Sequence, residues 1–271
     1  MDRLIEEKLA RLKEIFQHMG KVLVAFSGGV DSTLLLKVAH DTLGDKHVLA
    51  VTALSPLYPE RELEGVKKLI QTLGVRHRLI HSNELEIPGF SKNPPNRCYY
   101  CKSKLFGELL DLAKEETIPF IVEGSTLDDD KDHRPGKIAV QELGIRSPLR
   151  EVGLTKAEVR ESSRALGLRT WDKPSFACLA SRFPYGEEIT EEGLKMVDEA
   201  EDFLFGLGFK QVRVRHYGNL ARIEIFKEEM ARLMEDSLRE KIVGHLKGMG
   251  YRYITLDLQG FRSGSMNEVL G

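Results

Sequence analysis

The stretch SGGVDS, residues 27–32, decides the fold of this chain. The residues before it, VLVAF at 22–26, form an apolar run with the length and composition of a buried parallel strand. The residues after it, TLLLKVA at 33–39, are typical of a helix packed on a sheet. Gly28 and Gly29 let the backbone approach a bound group closely, and a helix start offers unpaired N–H groups and a positive dipole end. The sequence therefore predicts a strand, a glycine turn and a helix start that cradle an anion, and we expect this anion to be phosphate.

Two common phosphate-binding motifs do not fit this turn. It lacks the spacing and the lysine of G-x-x-x-x-G-K-[ST], and it lacks the dinucleotide fingerprint G-x-G-x-x-G. It carries instead the Asp31 carboxylate, together with the hydroxyls of Ser27 and Ser32. A carboxylate beside phosphates is consistent with a Mg²⁺ ion between them. The alternative is a tight turn in which Asp31 and Ser32 only cap the helix.

The composition is that of a globular protein with no membrane span. The chain has 271 residues, of which 41% are hydrophobic and 30% charged, and its net charge of −2 gives no global field for nonspecific nucleic-acid binding. No run of eighteen apolar residues occurs, and residues 1–8 form a charged amphipathic pattern rather than a signal peptide. We therefore expect a cytoplasmic protein without a membrane or nucleic-acid partner. The three cysteines, an odd number, argue against a disulfide scaffold.

Strands alternate with helices through the first two thirds of the chain. Strands are predicted at 22–26, 48–53, 76–80 and 120–124, and helices at 1–19, 33–42, 60–73 and 105–116. This alternation predicts an α/β fold with a doubly wound parallel sheet, in which ligands bind at the carboxyl ends of the strands. Ala25, Ser55 and Gly124 fall at those ends and are candidate ATP contacts. Gly124 opens an acidic stretch, residues 124–130, whose alternative role is a solvated loop.

The character of the sequence changes near residue 185. A helix is predicted at 190–207, and two alternating segments, 212–217 and 221–226, flank a Gly-Asn turn and predict an antiparallel hairpin. Helices at about 227–236 and 237–249 and a strand at 253–258 complete a small α+β domain. We therefore expect two domains, residues 1–185 and 186–271.

The three cysteines are compatible with several chemistries. Cys98 and Cys101 form a C-x-x-C at the turn entering the helix at 105–116, and Cys178 lies in a loop-like segment. They could be a dithiol redox pair with a separate third cysteine, or a zinc site completed by a residue such as His133. They could also be three ligands of a [4Fe–4S] cluster with one open iron that binds a small anion, or inert buried thiols.

With these stretches assembled, the chain resembles the LarE family along nearly its whole length. The hexapeptide at 27–32 is similar to the pyrophosphate loop (PP-loop) of the ATP pyrophosphatase superfamily. The more specific segments are SRFPYG at 181–186 and LDLQGFRSG at 256–264, and HRPG at 133–136 and VRVR at 212–215 add to them.

The resemblance implies a sulfur transferase that acts in the synthesis of the nickel-pincer nucleotide cofactor. Such an enzyme would use ATP and Mg²⁺, held in part by Asp31, to adenylate a carboxylate of pyridinium-3,5-biscarboxylic acid mononucleotide, and would then replace an oxygen with sulfur. In one branch of the family a single cysteine, matching Cys178, gives up its own sulfur. Another branch has three cysteines that hold a [4Fe–4S] cluster, and the cluster carries sulfur taken from sulfide or from a sulfur donor. Cys98, Cys101 and Cys178 match that branch. The family also implies a homo-oligomer.

Charged residues of the last third are candidates for binding the substrate. Three arginines carry planar guanidinium groups that can bind phosphate and carboxylate groups through paired hydrogen bonds: Arg213, Arg215 and Arg262. Arg213 and Arg215 share one face of a predicted strand. Their position in the family pattern favours binding of the substrate phosphate, and Glu224 is a further candidate for contact with the substrate. The alternative is a solvated strand face on which the arginines pair with Glu224.

Three rival functions remain open at this point. A tRNA thiolase also combines a PP-loop with three cysteines, although the net charge of −2 does not favour an RNA partner. An amidating synthetase of the NAD or GMP type would leave the cysteines without a role. A nucleotide-sensing protein without turnover is the third rival.

Overall fold

A computed structural model describes residues 2–131, 135–174 and 177–270. The chain divides into two compact units. The first comprises Met1–Ser55, Glu62–Glu84 and Asn96–Phe176, and the second comprises Pro56–Arg61, Leu85–Pro95 and Ala177–Gly271. No helix in the described ranges is long and apolar enough to cross a membrane.

The first unit is built on a parallel sheet of four strands. In sheet order these are β3 (Arg76–His81), β2 (Val48–Leu54), β1 (Val22–Ala25) and β4 (Phe120–Val122). In β1, Val24 lies opposite Ala50 on one side and Val122 on the other. The apolar run at 22–26 predicts this central position, because a strand whose two faces are both covered by helices is apolar at every position. The predicted α/β class with a parallel sheet is confirmed.

Helices cover this sheet. They are α1 (Arg3–Met19), α2 (Val30–Leu43), α3 (Glu60–Leu73), α4 (Arg97–Glu115), α5 (Gly136–Glu142), α6 (Pro148–Glu151) and α7 (Lys156–Ala165). Apolar residues of α4, such as Phe106 and Leu109, join Leu23 and Leu49 of the sheet in one buried cluster. A 3₁₀ turn, Leu127–Lys131, follows β4, and another, Glu84–Glu86, follows β3.

Two differences from the predicted elements matter for the site. Helix α4 begins at Arg97, so Cys98 and Cys101 lie within its first five residues and not in a turn before residue 105. The reason is that Asn96 follows Pro94 and Pro95 directly, so the irregular segment ends at the prolines and the helix starts at once. Helices α5, α6 and α7 were not predicted, although Thr155 and Glu158 form a capping box that starts α7.

The second unit contains a sheet of three strands. Strands β5 (Val212–Tyr217) and β6 (Leu220–Ile225) form the predicted hairpin, and β7 (Tyr253–Leu256) runs parallel to β6. Three helices accompany it: α8 (Glu191–Gly206), α9 (Met230–Leu233) and α10 (Asp236–Gly248). Val212, Val214 and Ile223 face the apolar core of this unit. Period-two alternation therefore places Arg213 and Arg215 on the other face. Short 3₁₀ turns lie at Leu179–Arg182, Lys227–Glu229 and Ser265–Leu270.

The division between the units differs from the predicted boundary near residue 185. It falls after residue 176, and two short segments from earlier in the chain belong to the second unit. Their backbone groups explain this: the Leu179 N–H donates to the Leu57 carbonyl at 2.9 Å, and the Ile189 N–H donates to the Ser91 carbonyl at 2.7 Å. Bonds between residues so far apart in sequence leave no trace in local composition.

Candidate active site

The PP-loop joins β1 to α2 and is held by its own hydroxyl groups. The Ser27 N–H donates to Ser32 Oγ at 3.3 Å, and the two serine hydroxyl oxygens lie 3.1 Å apart. The Thr33 hydroxyl donates to the Gly29 carbonyl at 2.7 Å. Gly29 is the N-cap of α2, and because glycine has no side chain, the first N–H groups of the helix have no side-chain cap. This arrangement fits the predicted anion cradle.

Two of the predicted glycines lie where neighbouring atoms leave little room for a Cβ. Gly28 has a φ of +66°, and a Cβ placed on it would lie 2.6 Å from Val66 Cγ2. A Cβ on Gly124 would lie 3.0 Å from the backbone nitrogen of Ser32. Gly124 therefore lets the segment after β4 approach the start of α2, and the structure brings this predicted residue against the PP-loop as the sheet topology requires.

Asp31 has one carboxylate oxygen in an ion pair and the other without a partner. Oδ2 contacts the Lys156 ammonium group, whereas Oδ1 is buried and accepts no hydrogen bond from the described residues. Burial raises the pKa of the Asp31 carboxyl above its ordinary value, and the Lys156 charge opposes that effect. A buried carboxylate oxygen with no donor is the kind of ligand that Mg²⁺ takes. The residues present therefore fit a metal ion at Asp31.

Two lysines from distant parts of the chain contact the PP-loop, and the sequence reasoning missed both. Lys156 is the first residue of α7, and its ammonium group reaches Asp31. Lys173 donates to the Gly28 carbonyl at 3.0 Å and pairs with Glu62 at 2.6 Å. The loop itself has no lysine, so these two residues supply positive charge beside it. The capping-box pattern around Lys156 was a signal for the helix start, but nothing local indicates the contact with Asp31.

The other predicted nucleotide contacts lie where the strands end. Ala25 is the last residue of β1, and Ser55 follows β2 directly. The Ser55 hydroxyl donates to the carboxylate of Glu84, a buried residue whose pKa is raised by that burial. After β4 the Ser125 N–H donates to the buried Glu123 carboxylate at 3.2 Å. The stretch from Gly124 thus begins as an ordered turn rather than a freely solvated loop.

The cysteines divide between the two units. Cys98 is exposed and Cys101 is half-buried, and their spacing of three places them on the same side of α4, one turn apart near its start. Cys178 belongs to the second unit, is half-buried, and caps the 3₁₀ turn Leu179–Arg182. His133, the alternative zinc ligand, lies outside the described residues. Within those residues no group of three or more His, Cys, Asp or Glu side chains is arranged as a metal site. Paired thiols at a helix start are nevertheless a donor set that suits soft metal centres.

A cavity of about 290 Å³ lies in the second unit and is lined by four arginines. We call it the arginine cavity; it is lined by Arg182, Arg215, Arg222, Arg262, Ser181, Phe183, Pro184, Tyr185, Tyr217, Ser265, Met266, Glu268 and Val269. Among these described residues Glu268 alone is acidic. The guanidinium groups of this cavity are suited to an anionic small molecule with phosphate and carboxylate groups.

Arg215 and Glu224 form a buried pair at this cavity. Arg215 is 3% exposed, Glu224 is 0% exposed, and two hydrogen bonds of 2.9 Å join them. Arg215 also donates to the Ser181 carbonyl and to the Ser265 hydroxyl, at 2.5 and 2.8 Å. The alternative is therefore right about the pairing of Arg215 with Glu224 and wrong about the solvation, because segments from outside the hairpin cover this strand face.

Arg213 and Arg262 occupy different positions. Arg213 does not line the cavity; its guanidinium lies 4.7 Å from the centre of the Phe261 ring, and its buried Nε has no hydrogen-bond partner among the described residues. Burial, together with Arg182 and Arg215, lowers the pKa of Arg213 to about 10. Arg262 lines the cavity and pairs with Glu268 at 3.1 Å.

A second buried pair, missed by the sequence reasoning, supports the cavity wall. Arg182 bonds Glu201 at 2.7 and 2.9 Å, and the Val214 N–H donates to the same carboxylate at 2.9 Å. Glu201 therefore links the SRFPYG segment, helix α8 and strand β5. Its position in the middle of a predicted amphipathic helix gave no sign that it would be 0% exposed.

The sequence is similar to a known family and to proteins of several organisms. A sequence model of the NAD synthase family matches residues 4–87, which contain the PP-loop. An uncharacterized protein of Synechocystis sp. is 46% identical over 98% of this chain and 99% of its own length. A pyridinium-3,5-bisthiocarboxylic acid mononucleotide synthase of Lactiplantibacillus plantarum is 37% identical over 97% of this chain and 95% of its own length. An uncharacterized protein of Methanocaldococcus jannaschii is 31% identical over 93% of this chain and 94% of its own length.

The parallel sheet and the SGGVDS loop define an ATP-dependent enzyme of the PP-loop class. Within that class the chain belongs to the LarE family of sulfur transferases, because the likeness to the Lactiplantibacillus plantarum synthase runs through both compact units. The resemblance described from the sequence is thereby confirmed.

Proposed function

We propose that this enzyme uses ATP to convert a carboxylate of pyridinium-3,5-biscarboxylic acid mononucleotide into a thiocarboxylate, in the synthesis of the nickel-pincer nucleotide cofactor. The observation that carries the proposal is the 37% identity over 97% of the chain to a synthase whose name states the thiocarboxylate product. The PP-loop and the arginine cavity support it independently, since they suit a triphosphate and an anionic mononucleotide.

The chemistry explains why a sulfur transferase needs a PP-loop. A carboxylate is a poor electrophile because its oxygen is a poor leaving group. A substrate carboxylate oxygen would attack the α-phosphorus of ATP and release pyrophosphate, leaving an acyl adenylate. A sulfur nucleophile would then attack the acyl carbon, and AMP would leave with the original oxygen. The N–H groups at the start of α2 and the nearby Lys156 and Lys173 would stabilise the charge of the departing pyrophosphate. A Mg²⁺ ion at Asp31 would neutralise further phosphate charge.

Pyrophosphate release tests the activation step. The purified chain with MgATP and the pyridinium mononucleotide should release pyrophosphate, and it should release little when the mononucleotide is omitted, because adenylation needs the acceptor carboxylate. Asp31→Asn should lower this release by about 10²-fold or more. A chain that binds both molecules and releases no pyrophosphate would instead be a nucleotide-sensing protein. Release that depends on tRNA would favour a tRNA thiolase, which the net charge of −2 does not favour.

We further propose that Cys98, Cys101 and Cys178 hold a [4Fe–4S] cluster. The support is chemical: cysteine thiolates are the usual cluster ligands, and two of the three lie one turn apart at the start of α4. When bound, such a cluster would carry the sulfur delivered to the activated carboxylate. The competing proposal is that Cys178 donates its own sulfur, which would consume the protein in one turnover.

Metal content and one cysteine variant separate these two proposals. Anaerobically purified protein should contain iron and acid-labile sulfide, and Cys98→Ala should lose both along with sulfur transfer. Adenylation should remain nearly intact in Cys98→Ala, since the PP-loop is unchanged, and pyrophosphate release reports it. A colourless protein with stoichiometric zinc, or a Cys98→Ala chain that still turns over repeatedly with free sulfide, would contradict the cluster.

A further inference from the structure

Lys156 is placed at the PP-loop by bonds that fix the start of α7. Its own N–H donates to the Asp128 carboxylate at 2.6 Å. The Thr155 hydroxyl and the Glu158 side chain cap the same turn reciprocally, and Glu158 pairs with Lys8 at 2.7 Å. The backbone that carries the lysine is therefore anchored on two sides, to the turn after β4 and to α1. A long flexible side chain on an anchored first turn can change partners without moving the helix.

The partner of Lys156 is the residue that the proposed function assigns to Mg²⁺. The ammonium group contacts Asp31 Oδ2, and Oδ1 is left buried without a hydrogen bond from the described residues. Other charged groups acting on Asp31 are Asp129 and Arg160. With Lys156 in place, the negative charge that would attract a divalent cation is already neutralised. A cation entering there would also be repelled by the ammonium group at short range.

We propose that Lys156 is a positioning residue that makes divalent-cation binding at Asp31 depend on nucleotide. Without nucleotide its ammonium group holds Asp31. When the triphosphate enters the PP-loop, its oxygens take over the ammonium group, and both Asp31 oxygens become available to the metal. Phosphate and metal then bind together and neither binds strongly alone. This inference rests on the proposed function, since it assumes that ATP and Mg²⁺ meet at this loop.

Thermodynamic linkage makes the coupling between nucleotide and metal binding measurable. If nucleotide strengthens metal binding by some factor, metal strengthens nucleotide binding by the same factor. A methionine at position 156 approximates the length of the side chain and removes the charge. It should therefore strengthen metal binding in the absence of nucleotide, which is opposite to the loss expected from a residue that only stabilises the loop.

The experiment titrates the full chain with Mn²⁺, detected by electron paramagnetic resonance, with and without an ATP analogue that has a methylene between its α- and β-phosphorus atoms. In Lys156→Met, Mn²⁺ without the analogue should bind about tenfold tighter than in the wild type, and the factor by which the analogue strengthens Mn²⁺ binding should fall about tenfold. Lys156→Gln should behave alike, which guards against a folding defect of one variant. Adding Asp31→Asn to Lys156→Met should abolish the tighter Mn²⁺ binding.

Lys37→Met is the matched control. Lys37 pairs with Asp41 at 2.6 Å on the same helix α2, away from the PP-loop, so its removal should leave both affinities unchanged. Equal Mn²⁺ affinity of the wild type and both position-156 variants, with analogue binding intact, would overturn the inference and leave the proposed function standing. A wild-type chain that does not bind the analogue at all would contradict the proposed function and this inference with it.

Discussion

Single residues of the PP-loop region are under two kinds of constraint. Gly28 is fixed by geometry, since it combines a positive φ with the Val66 side chain, which leaves no room for a Cβ. Asp31 is constrained by charge, since one carboxylate oxygen pairs with Lys156 and the other has no hydrogen-bond partner among the described residues. The need for a glycine in this turn was visible in the sequence, because a turn between a strand and a helix is locally determined, whereas its contact with Val66 was not. The second constraint was not visible either, because Lys156 is distant in sequence and reaches Asp31 only through the fold.

Replacing Gly28 by alanine separates the steric constraint from the backbone one. Gly20 has a φ of +68° and nothing within 4 Å of an added Cβ, whereas Gly28 has a φ of +66° and the stiff Val66 side chain at 2.6 Å. Gly20→Ala should cost about 1–3 kcal/mol of unfolding free energy, because a φ of +68° with a ψ of −43° is a strained conformation for a residue with a Cβ. Gly28→Ala should cost about 1–3 kcal/mol more from overpacking. Urea unfolding of both variants measures the difference.

The PP-loop should also lose nucleotide affinity in Gly28→Ala and keep it in Gly20→Ala. Adding Val66→Ala to Gly28→Ala should restore part of the lost stability, because it removes the atom that an added Cβ would meet. Equal unfolding free energies for Gly20→Ala and Gly28→Ala would show that the contact with Val66 does not constrain the loop.

At the scale of elements, helix α8 carries an acidic cluster against the first two residues of α3. Asp198 accepts the Glu60 N–H at 3.2 Å and pairs with Arg61 at 3.3 Å. Burial is the largest effect and, with the charges of Asp202 and Glu201, raises the pKa of Asp198 to about 6. The folded chain therefore holds this proton more tightly than the unfolded chain does.

The sign of the pH dependence follows from that shift. Between about pH 4 and pH 6 the unfolded chain loses the Asp198 proton first, so this residue destabilises the fold as the pH rises through that range. A rise of this size corresponds to at most about 3 kcal/mol at neutral pH, and solvent screening of the partly exposed carboxyl reduces it. Asp198→Asn should remove this part of the slope and raise the unfolding free energy at pH 7. Urea unfolding at pH 4, 5, 6 and 7 measures it, and a variant with the same pH slope as the wild type would contradict the assignment.

Elements were predictable where their signal is local. The strand of residues 22–26, the hairpin of the second unit and helix α3 follow from periodicity and turn residues, and the structure has them within a residue or two. The face shared by Arg213 and Arg215 was also predictable from period two. The segments that cover that face were not predictable. The stretches around Ser181 and Ser265 reach it through long-range packing, so that the Arg215–Glu224 pair is buried and not solvated as the alternative had it.

At the scale of the whole molecule, the two units carry different parts of the proposed chemistry. The first contains the PP-loop with two of the cysteines, and the second contains the arginine cavity and the third cysteine. The sequence did not predict that residues 56–61 and 85–95 belong to the second unit, because that assignment depends on contacts between residues far apart in the chain. The expected homo-oligomer stays a prediction; Tyr253 of β7 and Leu258 just beyond it are 61% and 85% exposed, which is consistent with an interface in the second unit.

We propose that this chain transfers sulfur repeatedly and survives each turnover. The direct measurement is the amount of thiocarboxylate product formed per protein chain, with the mass of the Cys178 peptide determined afterwards. The anaerobic reaction contains MgATP, the pyridinium mononucleotide and sulfide. We expect several products per chain and an unmodified Cys178. At most one product per chain, with one sulfur missing from Cys178, would contradict it.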